Sequence, residues 1–212
     1  MPEATLLRRP ALGELAGAPV PAPAPGTAVP VAGEATGRRL AVLRGRRSDA
    51  AFGNAIRETL GVAPPAPCAT VERGGLRLVG VGPDEALVVA GGYDAAKGGD
   101  SAAEAALQRL RSALAATRHA WTDVSSGFAT IVLHGPMARD VLSRGCPLDL
   151  HPRAFGPGSS AGSLWFKAPI LLWQVDDAPR YEFTVRRSLA RYAWEMLRDA
   201  ARTTGLEVRR FD

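Results

Sequence analysis

One stretch of this chain matches a nucleophile motif. Gly158-Ser159-Ser160-Ala161-Gly162 fits the G-x-S-x-G pattern of a serine hydrolase elbow. There a strand delivers the serine to a sharp turn and a helix follows, leaving the hydroxyl exposed beside a histidine and an acid. The flanks do not support that geometry here. Gly156 and Pro157 precede the motif, and no capped amphipathic helix follows it. The hydrolase order also places the histidine last, and no histidine lies beyond His151. In a chain with 23 glycines the motif reads as a chance match.

The other reactive patterns fail in turn. Neither lysine, Lys97 or Lys167, follows a glycine, so there is no phosphate-binding loop. Gly80 and Gly82 begin a G-x-G, but Glu85 occupies the place of the third glycine of a dinucleotide fingerprint. His119, His134 and His151 lie 15 and 17 positions apart, which is no local metal-ligand spacing. Asp84 with Glu85, and Asp176 with Asp177, fall in predicted turns, where carboxylates bond the backbone or face water. Asp123 sits on a predicted strand and is expected to accept from the neighbouring turn amides. Cys68 and Cys146 have no C-x-x-C spacing and read as free or buried thiols of a reducing cytoplasm. No catalytic, cofactor-binding or metal-ligating residue is assigned to this chain.

Composition narrows the partners. The chain has 212 residues, 46% of them hydrophobic, and a net charge of +5. Its basic residues are nearly all arginine and are scattered. The densest group, Arg38, Arg39, Arg44, Arg46 and Arg47, has no interleaved aromatics to stack on bases, which argues against nucleic acid. Arginine's planar fork suits carboxylates, so a solvated surface or an acidic protein partner is expected. No segment approaches the ~20 consecutive apolar residues of a membrane span, and no apolar run follows the basic residues near Met1, so a cytoplasmic protein is expected.

The elements that position these residues alternate between hairpins and helices. A strand is expected over residues 39–44, then a helix from a Ser48 cap to Leu60 with Gly61 as its stop. Residues 76–81 and 86–90 read as a hairpin around Gly82-Pro83-Asp84-Glu85. Ser101 and Glu104 form a capping box before a helix burying Ala103, Leu107, Leu110 and Leu114. Residues 121–124 and 129–134 read as a second strand pair. Pro136 opens a short helix at its first position, and a long loop covers residues 146–163. Residues 170–175 and 180–185 form a third hairpin, with Tyr181, Phe183 and Val185 inward and Arg180, Glu182 and Thr184 outward. Ser188 caps a last helix ending near Gly205. The fold class is α+β: antiparallel sheets, amphipathic helices packed on one face, and two related halves. Residues 1–36 are read as an extension with an Ala/Pro-rich linker at 17–30, and 37–212 as the domain, with halves 37–118 and 119–212. LVGVGPDEALVV and IVLHGPMARDVL form a faint internal echo.

Several segments resemble the gamma subunit family of sarcosine oxidase. They are Asp123-Val124-Ser125-Ser126-Gly127, Gly135-Pro136-Met137-Ala138-Arg139-Asp140-Val141-Leu142, and Arg144 to Phe155 with its Cys146-Pro147-Leu148-Asp149-Leu150-His151-Pro152-Arg153-Ala154-Phe155 core. Lys167-Ala168-Pro169, Asp176-Asp177-Ala178-Pro179 and Arg187-Ser188-Leu189-Ala190 extend the match. The chain departs from the family pattern at Ser126, where an acid is usual. The resemblance implies a fold like the folate-binding aminomethyltransferases. It implies a structural subunit of a heterotetramer with alpha, beta and delta chains that oxidatively demethylates sarcosine to glycine, hydrogen peroxide and either formaldehyde or methylene-tetrahydrofolate. FAD, FMN, NAD and tetrahydrofolate would sit on the partner subunits and zinc on the delta subunit, with no catalytic residue here. The alternative reading is a stand-alone folate-binding or aminomethyl-transfer protein.

Two regions are candidate partner contacts. The loop carrying Asp149, His151, Arg153 and Phe155 is either a partner anchor or a surface loop pinned by an Asp149–Arg153 ion pair, since arginine and aromatics dominate interface hot spots. On the last helix, Trp194 beside Arg191 and Arg198 either borders the core near Leu197 or faces another subunit. The second is taken as the expectation.

Overall fold

The computed structural model describes residues 10–13, 17–91 and 99–211. Its central strands are apolar on both faces, which dictates a layered structure. A five-stranded antiparallel sheet contains β2 (Arg39–Gly45), β3 (Thr70–Arg73), β4 (Leu76–Gly82), β5 (Glu85–Ala90) and β6 (His119–Asp123), ordered β3-β4-β5-β2-β6. A six-stranded sheet contains β1 (Val31–Ala35), β7 (Phe128–His134), β8 (Ser160–Trp165), β9 (Ala168–Asp176), β10 (Arg180–Arg186) and β11 (Glu207–Val208), ordered β11-β1-β7-β10-β9-β8. Its pairings are antiparallel except that of β1 with β11.

Alternation along the strands sorts the core into three layers. Ala41, Leu43, Leu76, Leu78, Val88 and Ala90 pack against α1 (Ala50–Leu60) and α2 (Gly99–Leu114). Their neighbours Leu40, Val79, Leu87 and Val89 point the other way and meet Trp173 of the second sheet. That sheet's far face carries Ile131, Leu133, Leu172, Tyr181, Phe183 and Val185, packed with α3 (Ala138–Ser143) and α4 (Ala190–Ala200). Each sheet therefore has helices on one face and the other sheet on the opposite face.

This stacking explains the main departure from the expected pattern. Glu182 and Thr184 of β10 were expected to face water, but both are buried. The five-stranded sheet covers that face, and Glu182 is neutralised there. Its carboxylate accepts from Arg38 Nη1 and Nη2 at 2.6 and 2.9 Å and from Trp173 Nε1 at 3.1 Å.

The expected domain boundaries also move. β1 lies before residue 36 yet pairs with β7 along its whole length, so residues 31–35 are sheet and not linker. β6 and β7 form no hairpin. β6 pairs with β2, and a 3-10 turn over Ser125–Gly127 carries the chain to the other sheet. A division at 119 would cut β6 from its own sheet. The internal echo dissolves likewise, since its first copy is the β4–β5 hairpin and its second is β7 followed by α3.

Some caps and edges differ. Asp49, not Ser48, caps α1, its carboxylate accepting from the Ala51 amide at 2.9 Å, and Gly61 ends the helix at φ 68 as expected. α2 begins at Gly99, ahead of Ser101, whose side chain lies outside the described residues, as do residues 92–98 with Lys97. Pro136 sits in the turn before α3, with Met137 at φ 60. Ser188 lies inside a 3-10 turn, Arg187–Leu189, and makes no cap for α4. No strand was expected at β3, and β8 begins inside the stretch expected as a long loop.

Trp194 is 1% exposed and Phe155 5%, both in the core cluster of the six-stranded sheet. Neither side chain is available to a partner, which corrects the expectation for Trp194 and removes Phe155 from the candidate contacts. The α4 stripe is rotated toward Ala190, Ala193, Trp194 and Leu197, leaving Tyr192 and Met196 at its border.

Trp194→Ala should destabilise the isolated chain by about 3–5 kcal/mol, read from urea unfolding, as for large aromatics removed from a core. Glu182→Gln should cost about 3–5 kcal/mol by leaving Arg38 uncompensated, while Arg38→Met with Glu182→Leu should recover most of the loss. Burial raises the Glu182 carboxyl, but the Arg38 charge and hydrogen bonds, Arg77 and Trp173 outweigh it and hold the group below the usual carboxylate range. A depressed folded value gives stability that is present above the unfolded value, about 4.3, and is lost as pH falls through the folded one. The chain should therefore lose stability below about pH 4, more steeply than Glu182→Gln does.

Candidate functional site

The chain crosses between the sheets at residues 36–38, where Gly37 adopts φ 73. Arg38 leaves this turn directly into the sheet junction. The Arg38 and Glu182 side chains are 5% and 2% exposed. Burial lowers the guanidinium's proton affinity, but Glu182 reverses the shift and raises it. The fork-on-carboxylate geometry is bidentate, which fixes orientation as well as distance.

A cleft of about 230 Å³ opens beside this pair, bordered by Glu34, Thr36, Ser125, Ser126, Thr130 and Arg187. Glu34 and Ser125 turn their polar groups toward the backbone. Ser125 Oγ accepts from the Leu40 amide at 2.9 Å and donates to the Leu40 carbonyl at 3.2 Å, tying the 3-10 turn to β2. Asp123 accepts from the Ser125 amide at 2.8 Å, the local role expected for it. The Glu34 carboxylate accepts from the Ala11 and Leu12 amides, both at 2.7 Å, and so pins the N-terminal segment over β1. The arrangement offers orientation and charge balance. Among the described residues, no three or more His, Cys, Asp or Glu side chains converge on a common point.

The hydrolase-like motif is a strand. Ser160 is 2% exposed on β8 opposite Trp173, and its amide donates to the Cys68 carbonyl at 2.9 Å. Its hydroxyl is enclosed, so it cannot act as an elbow nucleophile. The paired acids lie at their turns, with Glu85 the first residue of β5 and Asp176 the last of β9. Asp84 accepts from the Arg47 amide at 3.1 Å, Glu85 pairs with Arg44 at 2.7 Å, and Asp176 pairs with Arg180 at 3.3 Å.

The candidate contact residues separate into two groups. Asp149 accepts from the His151 amide at 3.0 Å, and His151 Nδ1 accepts from the Arg153 amide at 3.3 Å. These consecutive turns pin the loop, and no Asp149–Arg153 ion pair forms among the described residues. Phe155 anchors the loop in the core, while Asp149, His151 and Arg153 stay exposed. On α4, Arg191 is exposed and pairs with Glu195 at 2.8 Å, whereas Arg198 is half-buried. Sequence reasoning missed Arg38 and Glu182 as a pair. A lone acid between Tyr181 and Phe183 on a strongly apolar hairpin was the available signal.

Comparison with known proteins agrees with this architecture. Residues 44–203 match the profile of the sarcosine oxidase, gamma subunit family. The chain is 33% identical over 137 residues to the sarcosine oxidase subunit gamma of Corynebacterium sp. (strain P-1), covering 61% of this chain and 63% of that one. It is 34% identical over 107 residues to the corresponding subunit from Arthrobacter sp, covering 50% and 48%. The aligned region thus spans less than two thirds of these curated relatives. In three dimensions the chain superposes on a chain of the heterotetrameric sarcosine oxidase from Corynebacterium sp. U-96 in complex with pyrrole 2-carboxylate. The TM-score is 0.76 at 28% identity, over 92% of this chain and 94% of that one. Aminomethyltransferase T of the glycine cleavage system from Bartonella henselae shares the fold, with a TM-score of 0.63 at 14% identity, over 86% of this chain and 48% of that one. Through the profile match over residues 44–203, the chain belongs to the sarcosine oxidase gamma subunit family.

Proposed function

We propose that this chain is a non-catalytic structural subunit of a heterotetrameric sarcosine oxidase, assembled with alpha, beta and delta subunits in the cytoplasm. The observation that carries the reading is the superposition over 94% of a chain from such a heterotetramer. The complex would demethylate sarcosine oxidatively to glycine, with hydrogen peroxide and formaldehyde or methylene-tetrahydrofolate as the other products. FAD, FMN, NAD and tetrahydrofolate would be held by the partner subunits and zinc by the delta subunit. This chain's part is to present a rigid two-sheet body to them. The shared aminomethyltransferase fold keeps a stand-alone folate-binding or aminomethyl-transfer protein as the second reading, although this chain spans only 48% of that enzyme.

Asp149, His151, Arg153 and Arg191 are the exposed residues of the two candidate regions, and their charges are available to steer a partner into place. Co-expression with the alpha, beta and delta subunits should yield one species on size exclusion, and the chain purified alone should show no flavin absorbance and no turnover of sarcosine. Arg153→Glu with Arg191→Glu should lower the yield of assembled complex about tenfold or more, a loss of ~1.4 kcal/mol in association, with the melting temperature of the lone chain unchanged. Sarcosine oxidation by the isolated chain would contradict the proposal.

A further inference from the structure

Residues near a chain terminus are ordered only where something ties them down. Pro10, Ala11 and Leu12 are tied by side chains of the body. Among the described residues, no backbone–backbone hydrogen bond joins residues 10–12 to a sheet strand. Glu34 Oε1 accepts from the Ala11 amide and Glu34 Oε2 from the Leu12 amide, both at 2.7 Å. Arg187 Nη2 donates to the Pro10 carbonyl at 3.3 Å. Leu12 is 1% exposed and belongs to the core cluster of the six-stranded sheet.

The host side of this contact is formed by the sheet. Ala32, two residues before Glu34 on β1 and hence on the same face, belongs to the cluster that takes Leu12. Glu34 itself is buried. A buried carboxylate needs donors, and the segment supplies two from successive residues, one to each oxygen. The linker that follows has a fastening of its own. Residues 17–19 and 21–28 are exposed, and Val20 exchanges two backbone hydrogen bonds with Leu206, both at 2.9 Å. Residues 10–12 therefore occupy their place as a tethered peptide occupies a groove.

The contact defines what fits. It reads two successive N–H groups, the carbonyl before them and one aliphatic side chain, and it reads no charge on the segment. Proline is excluded at the two donor positions, because it has no N–H, and is accepted at position 10, where only the carbonyl is used.

We propose that Glu34, Arg187 and the slot under Leu12 form a peptide-docking site, filled in cis by the chain's own residues 10–12 and able to take the same sequence in trans. Recognition of backbone groups together with one apolar anchor is how extended peptides are commonly held. Pro10 and Glu34 also border the cleft beside the Arg38–Glu182 pair, so the docked segment forms part of that cleft's rim. The inference goes beyond the subunit reading and does not depend on it, since every measurement is made on this chain alone.

The probe is a labelled synthetic peptide with the sequence of residues 7–16. The host is the full-length chain carrying Leu12→Asp, whose own segment cannot seat. The peptide should bind this host. Wild-type chain should bind it at least about tenfold more weakly, because the tethered copy competes at high effective concentration. Ala11→Pro in the peptide removes one donor, and Glu34→Gln in the host removes the carboxylate charge; each should weaken binding about tenfold. A second measurement needs no variant. Amide exchange at Ala11 and Leu12 of the wild-type chain should be at least about tenfold faster than at Ile131 and Val132 of β7, the mark of a segment that opens by itself. A folded Leu12→Asp chain that ignores the peptide overturns the proposal, as does binding that survives both Ala11→Pro and Glu34→Gln. Exchange at Ala11 and Leu12 as slow as at β7 would make residues 10–12 a fixed part of the core and overturn it too. That last comparison settles the matter if Leu12→Asp does not fold.

Discussion

The Arg38–Glu182 ion pair governs how the two sheets meet. The apolar contact between them is narrow, built from Leu40, Val79, Leu87, Val89 and Trp173. Such a contact alone would tolerate sliding, because hydrophobic attraction has no direction. A bidentate pair does not tolerate it, since both oxygens and both nitrogens must coincide. The net energy of such a pair is small, as the loss of hydration nearly cancels the Coulomb attraction. Its effect is selective: any other placement of the sheets leaves a charge buried without its partner. Trp173 completes the constraint by spending its only donor on the same carboxylate.

With the sheets held in this way, the exchange of strands between the two halves becomes intelligible. β1 and β6 each lie in the sheet built mainly from the other half of the chain. The links that carry them across, residues 36–38 and the 3-10 turn at Ser125–Gly127, lie side by side at the junction, joined through Ser125 and Leu40. β1 is also where both ends of the described chain are secured. The Glu34 side chain holds Ala11 and Leu12, its carbonyl accepts from the Phe211 amide, and the Ala32 carbonyl accepts from Arg209. Gly33 is required there, because a Cβ would stand 1.7 Å from the Arg209 carbonyl oxygen.

Much of this was legible in the sequence, and the rest was hidden for identifiable reasons. Hairpins with strong turn chemistry, β4–β5 and β9–β10, stood where alternation and the Pro-Asp and Asp-Ala-Pro turns put them. α1 and α2 followed their apolar stripes. β8 was missed because Ser-Ala-Gly-Ser has neither the bulk nor the branching that marks a strand, and its pairing comes from β9. β1 was missed for a similar reason, since Val-Ala-Gly-Glu-Ala beside an Ala/Pro-rich tract carries no periodic signal. Glu182 looked solvent-facing because period-two alternation reports which residues share a face and is silent on what covers that face. Trp194 was misplaced by a modest rotation of the helix stripe: the small residues Ala190 and Ala193 leave room for the indole, and Tyr192 takes the margin instead.

The placement of β1 has a further consequence in time. All strands of the five-stranded sheet lie between residues 39 and 123, so that layer can close while the rest of the chain is still being synthesised. β1 emerges before any of them, yet its partners begin at residue 128 and its outer neighbour at 207. At ~5–20 residues per second, the ribosome leaves this strand unpaired for roughly five to twenty seconds before β7 is available. The nascent polypeptide must keep Val31–Ala35 from joining the first sheet that forms. Glu34 and Gly33 within it, poor company for a growing apolar edge, are suited to that wait.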